Sequence, residues 1–201
     1  MSSRSPGASS GRRSDKPLFT LEAGCRSVPP RQVLFRWTLP DAVYAPDSVH
    51  PSLGRFGDGS IPTLYLAASA EGAMAEYFRV NPSLLAHQAG LKLRLAAVDT
   101  EVVGELLDVI ARDDALLVGI SHDRLVSYEV DEAVRWVECQ QLALAAVEAN
   151  VVGILYPSAA WANGWNLVLF GGQGPGRWRS HGWQQMALPQ VDPKLVLAIG
   201  R

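Results

Sequence analysis

The stretch LYLAASAEGAMAEYF, residues 64–78, carries Tyr65 on a strand-like run and Glu76 on a short helix beyond a turn of small residues. Just upstream, Arg55 sits between Gly54 and Phe56. A glutamate flanked by Ala, Met, Ala, Tyr and Phe is costly to bury without a partner. Its ordinary reading is a solvent-facing helix residue. Arg36 interrupts an apolar strand in LFRW, and Arg55 lies in a glycine-rich loop. The planar fork of arginine suits phosphate or carboxylate, or else a structural ion pair. Ser158 follows a strand end in YPSA, where a hydroxyl hydrogen-bonds a sugar or caps a turn. No glycine-flanked serine of the nucleophile-elbow kind surrounds it. His50, His87, His122 and His181 show no metal-ligand spacing, and neither Cys25 nor Cys139 stands at a suitable interval from them. No metal site is expected.

Several elements must carry these side chains. VLFRWT, residues 33–38, alternates in the manner of a strand. Residues 40–62 hold Pro40, Pro46, Pro51 and Pro62 and read as a long functional loop. Residues 63–68 read as a second strand. Ser69 is placed to N-cap a helix with Glu71 in its first turn, and Asn81–Pro82 stops it. LKLRLAAV, residues 91–98, reads as a half-exposed strand, and residues 100–135 as short helices and turns. Residues 139–150 carry a helical apolar stripe at Leu142, Ala145, Ala146 and Ala149. VVGILYPS (151–158), cut by Pro157, and NLVLF (166–170) read as buried strands, and WQQMAL (183–188) and LVLAI (195–199) as late ones. Neither a repeat nor a βαβ unit with a glycine-rich phosphate loop is present. The pattern predicts an α+β domain around a split, mostly antiparallel sheet.

The totals narrow the class. The chain has 201 residues, 48% of them hydrophobic and 19% charged, enough for one domain with a buried core. A net charge of −2 disfavours direct nucleic-acid binding. No apolar run has the length of a membrane span, and the N-terminus lacks a signal-peptide core. Two cysteines in a chain of this size read as reduced thiols in a cytoplasmic protein. Residues 1–17, rich in Ser, Gly and Arg, read as a disordered tail, 18–32 as a linker or short first element, and 33–201 as the main domain. Trp136, Trp161, Trp165, Trp178 and Trp183 crowd the C-terminal third, where packing is the default role.

Together the motifs resemble the RES domain, the toxin half of a bacterial RES–Xre toxin–antitoxin pair. The resemblance runs in order through LFRW (Arg36), G-R-F (Gly54 to Phe56), LYLA (Tyr65), A-x-x-E (Ala73 to Glu76) and a glutamine-bearing helix (Gln140 or Gln141). It continues through G-I-L-Y-P-S-A (Gly153 to Ala159) and N-L-V-L-F (Asn166 to Phe170). Two positions depart from the family pattern: Gly57 stands where asparagine is frequent, and Ala160 where arginine is frequent.

The resemblance implies an ADP-ribosyltransferase-like fold with a cleft for NAD⁺ as substrate, no cofactor, and an Xre-like helix-turn-helix antitoxin that blocks the cleft. It implies NAD⁺ breakdown by hydrolysis or phosphorolysis. The alternatives are ADP-ribose transfer to a protein and a RES-like binding module that has lost activity. The acceptor and the oligomeric state, a homo-oligomer included, stay open. On this reading Arg36 and Arg55 hold the diphosphate, and Tyr65 and Trp37 flank the nicotinamide. Glu76 stabilises the charge developing on the ribose, and Ser158 orients that sugar.

Overall fold

The strand-like runs join edge to edge into a single sheet. The computed structural model describes residues 19–27, 31–88, 90–127, 136–171 and 177–196. Its strands are β1 (Cys25–Ser27), β2 (Arg31–Thr38), β3 (His50–Gly54), β4 (Gly57–Ala67), β5 (Arg94–Val102), β6 (Glu105–Asp108), β7 (Gly153–Pro157), β8 (Trp165–Phe170) and β9 (Trp178–Met186). They lie in the order β1-β6-β7-β8-β4-β2-β5-β9, with β3 hairpinned onto β4. The pair β6–β7 is parallel, and the other described pairs are antiparallel. The helices are α1 (Ala70–Val80), α2 (Arg112–Val118), α3 (His122–Val126) and α4 (Val137–Glu148). The expected α+β class and mostly antiparallel sheet are both present.

One junction in the sheet is thin. β2 pairs with β5 along its whole length, from Arg31↔Glu101 to Thr38↔Arg94. With β4 it pairs only at Phe35↔Ala67. Continued antiparallel register would set Arg36 against Leu66 and Trp37 against Tyr65. The two strands part instead, and this seam divides the sheet into a β2–β5–β9 wing and a β4–β8–β7–β6 wing.

Alternation along the strands gives the sheet two buried faces. On one, Tyr65, Ile154, Tyr156, Val168 and Phe170 meet α2, α3 and α4 through Ala115, Val118, Leu125, Cys139 and Leu142. On the other, Leu34, Leu64, Leu66, Val98, Leu167 and Leu169 pack together. α1 covers the first wing: Ala73 packs with Leu95 and Phe35, and Met74, Tyr77 and Phe78 with Trp37 and Leu93. Ser69 caps α1 by accepting the Gly72 N–H at 3.0 Å, and Asn81 ends it. α2 ends at Gly119, whose φ of 103° is open to glycine at little cost.

Several expected boundaries move. The supposed loop 40–62 contains β3 and the start of β4, because Pro51 and Pro62 sit at opposed hairpin positions next to an irregular register. The strand expected over 91–98 is Arg94–Val102, and it is mostly buried, being central between β2 and β9. The late strand expected over 183–188 is Trp178–Met186. In the stretch 195–199, Val196 forms only an isolated bridge with Trp161, and residues 197–199 lie outside the described residues. Within 18–32, a 3-10 turn over Leu21–Ala23 leads into β1, which pairs with β6 at the sheet edge. The tail 1–17 lies outside the described residues. Among those described, no helix is long and apolar enough to cross a membrane.

Candidate active site

Where β2 and β4 part, a cavity of about 390 Å³ opens. Its charged lining consists of Arg36, Arg55, Glu76 and Arg79. Three guanidinium groups thus face one carboxylate between apolar walls, and such a surplus of positive charge in a low-dielectric cleft attracts anions. Trp37, Tyr65, Tyr156 and Asn166 also line it.

Glu76 projects from α1 with 22% of its side chain exposed. Its Oε1 accepts from Ser158 Oγ at 2.8 Å and from Asn166 Nδ2 at 2.9 Å. Its Oε2 lies 3.3 Å from Arg79 Nε, one helical turn on. Arg79 is 7% exposed. The carboxylate is therefore fixed by donors from both wings.

Ser158 is buried behind Glu76 and is not on the cavity wall. Its oxygen also accepts the Ala160 N–H at 3.2 Å and the Trp161 N–H at 3.0 Å. One proton and two lone pairs are then all in use. The serine positions Glu76 and has no hydrogen-bonding capacity left for a sugar.

Arg55 occupies the tip of the β3–β4 turn, between the paired Gly54 and Gly57. The tip is folded inward: Arg55 is 6% exposed and Phe56 fully buried. Three contacts hold it. Gln140 Nε2 donates to Gly54 O at 3.0 Å and to Gly57 O at 3.2 Å, and Tyr65 Oη accepts the Phe56 N–H at 3.0 Å. The glutamine facing the site is therefore Gln140, and Gln141 is exposed. Burial pushes the Tyr65 phenol up to about 12. The Arg55 guanidinium carbon lies 5.9 Å from the Tyr156 ring centre. Arg55 Nη1 is buried with no hydrogen-bond partner among the described residues.

Arg36 reaches the cavity from the other side of the sheet. Phe35 and Trp37 face α1, so strand alternation sends Arg36 to the opposite face. Its Nη1 donates to Pro46 O at 3.1 Å and Ser48 O at 3.2 Å, and its Nη2 to His50 Nε2 at 2.8 Å. His50 Nδ1 donates to Pro51 O at 3.1 Å, which selects the tautomer with a free Nε2 lone pair. Burial lowers the Arg36 pKa from its ordinary value. Part of this arginine is thus committed to its own loop. Trp37 packs edge-on against Tyr77 with ring centres 4.9 Å apart.

The structure places Arg36, Trp37, Arg55, Tyr65 and Glu76 around one cavity and sets Ser158 behind it. Arg79, Tyr156 and Trp136 also line it and were not expected there. Arg79 had a signal in its helical spacing from Glu76. Tyr156 had one in its alternation with Ile154 on β7. Gln140 and Asn166 were motif positions whose contacts only the fold reveals. The two departures also have a setting. A Cβ at Gly57 would lie 2.5 Å from Ser52 O, so asparagine does not fit there without moving β3. Ala160 is fully buried.

The sequence matches the RES domain over residues 33–188. Among solved structures, the chain is similar to one described as the crystal structure of the M. tuberculosis MbcT-MbcA toxin-antitoxin complex. The TM-score is 0.59 at 23% identity, covering 82% of this chain and 88% of that one. No curated protein sequence matches the chain. With the family match spanning both sides of the seam and every residue of the Glu76 cluster, the chain belongs to the RES domain family.

Proposed function

We propose that the protein is an NAD⁺-cleaving enzyme and the toxin of a toxin–antitoxin pair. The observation that carries this reading is Glu76, fixed by Ser158, Asn166 and Arg79 on the wall of a cavity with a surplus of guanidinium groups. A dinucleotide presents what that wall requires: a diphosphate for Arg36 and Arg55, and a flat ring for Trp37 and Tyr65.

In the reaction, the bond between ribose C1′ and the nicotinamide nitrogen breaks. Both electrons go to that nitrogen and neutralise its positive charge. The ribose passes through an oxocarbenium-like state, which the immobilised Glu76 carboxylate stabilises. An acceptor oxygen then bonds to C1′ and releases its proton. Ser158 and Asn166 keep Glu76 from rotating away as the charge grows.

The pairing with an antitoxin rests on family membership and on the toxin–antitoxin complex to which the fold is similar. The cavity mouth suits coverage by a protein, since Leu53 and Val80 line it while 85% and 48% exposed. An Xre-like helix-turn-helix protein is the partner this reading calls for, in the cytoplasm.

The test is incubation of the purified protein with NAD⁺ labelled in its adenylate half. Free nicotinamide together with free labelled ADP-ribose or its 1″-phosphate supports breakdown, and label on a protein band supports transfer. Unchanged NAD⁺, with no growth defect on induction, overturns the proposal.

A further inference from the structure

Two donors on the cavity wall have no acceptor. Arg55 Nη1 is buried without a hydrogen-bond partner among the described residues. Tyr156, 6% exposed, lines the same cavity, and nothing in the described structure hydrogen-bonds its hydroxyl. The two side chains are neighbours: the Arg55 guanidinium carbon lies 5.9 Å from the Tyr156 ring centre. Phe56 fixes that ring from its edge at 4.7 Å. A buried donor left unsatisfied costs free energy that an apolar side chain of the same shape avoids. The Tyr156 hydroxyl, unlike Arg55 Nη1, is not fully shielded and stays open to the cavity. Burial also raises the Tyr156 pKa well above its ordinary value, with the Glu76 charge adding to the effect, so the hydroxyl keeps its proton and stays a donor.

We infer that Arg55 Nη1 and Tyr156 Oη form a two-donor subsite for a phosphate oxygen of the bound ligand. The inference rests on the reading of the cavity as an NAD⁺ site and adds to it a residue, Tyr156, and an atom-level role. One cation and one neutral donor, neither holding an acceptor among the described residues, select an anionic oxygen over a hydroxyl or an amine. The oxygen belongs either to the diphosphate of the dinucleotide or to free phosphate, and the two sources separate by experiment.

The experiment is calorimetric titration of two full-length proteins, Glu76→Gln and Glu76→Gln with Tyr156→Phe, in which turnover is suppressed. Tyr156→Phe keeps the ring against Phe56 and beneath Arg55, and an unchanged melting temperature confirms that it folds. The probes are NAD⁺, ADP-ribose, nicotinamide riboside (which lacks phosphate) and inorganic phosphate. The expected result is affinity for NAD⁺ and ADP-ribose lower by about tenfold to a hundredfold, typical of a lost charge-assisted hydrogen bond, with nicotinamide riboside unaffected. Weakening confined to inorganic phosphate supports the same subsite with free phosphate as its occupant. Equal affinities for all four probes, or nicotinamide riboside weakened as much as NAD⁺, overturn the inference while leaving the NAD⁺ reading intact. Failure of the Glu76→Gln protein to bind NAD⁺ or ADP-ribose counts against the NAD⁺ reading; a Tyr156-dependent phosphate site would then stand without it.

Discussion

The hydrogen bond from Ser158 Oγ to Glu76 Oε1, 2.8 Å long, crosses the seam between the two wings of the sheet. Glu76 belongs to the helix covering β2 and β5, and Ser158 follows β7. With Asn166 from β8 at 2.9 Å, it ties the Glu76 carboxylate to a wing that meets its own only once in the β2–β4 ladder.

Replacing Glu76 with Gln preserves shape and removes charge. Nicotinamide release is expected to fall by about two to three orders of magnitude, the scale for loss of an electrostatic stabiliser in a closed site. Initial rates under saturating NAD⁺ measure it, and a parental rate would show that the carboxylate has no part in bond cleavage.

Ser158→Ala removes the donor to Glu76 and leaves the Ala160 and Trp161 N–H groups without their acceptor. Stability is expected to drop by about 1–3 kcal/mol from the buried unsatisfied groups. Since the hydroxyl has no capacity left for substrate, kcat should fall and KM stay near the parent value. A rise in KM alone would instead place the serine on the ribose.

Gln140→Leu withdraws the bridge between Gly54 O and Gly57 O that braces the Arg55 turn. Weaker NAD⁺ binding, by about 1–2 kcal/mol, is expected from a misplaced charged donor. Gln141→Leu, on the exposed side of the same helix, serves as the control and should bind as the parent does. Calorimetric titration of the two variants decides the matter.

Gly57→Asn tests whether the β3–β4 hairpin has room for a side chain at this position. The added Cβ meets Ser52 O at 2.5 Å, a main-chain atom that cannot swing aside. A loss of about 1–3 kcal/mol in urea unfolding is expected, the scale of overpacking. A stable variant would show that β3 yields easily.

Alkaline pH should lower stability progressively, because several buried acids hold their protons more tightly in the folded chain. Burial raises Cys139 from 9.0 to about 11 and Tyr65 from 10.0 to about 12. Both groups bind a proton more tightly when folded, so their contribution is complete below the unfolded values. It is lost from pH 9 to about 11 for the cysteine and from pH 10 to about 12 for the tyrosine. Cys139→Ala should lessen the fall of the urea midpoint between pH 9 and about 11 without removing it, since burial also raises Cys25.

Much of the architecture was legible because strands and α1 obey local rules. Ser69 and Asn81–Pro82 bound that helix by capping and chain stiffness, which need no tertiary knowledge. The 40–62 region was misread because proline usually argues against a strand, whereas Pro51 and Pro62 occupy opposed positions in a hairpin. Residues 91–98 look half-exposed by alternation, yet β5 is central and covered on both sides. At the site, Arg55 and Glu76 stood out by residue type. The saturation of Ser158, the partners of Arg36 on its own loop, and the inward aim of Tyr156 depend on contacts distant in sequence, which no local pattern encodes.

Because Phe35 and Ala67 form the one rung between β2 and β4, the two strands run on beside it unpaired with each other and leave an opening within the sheet. The gap is flanked by the main chain of both strands. A molecule reaching from Glu76 on one bank to Arg55 on the other would clasp the two wings together. Occupancy should then slow amide exchange at the rung itself, far more than in the middle of β5.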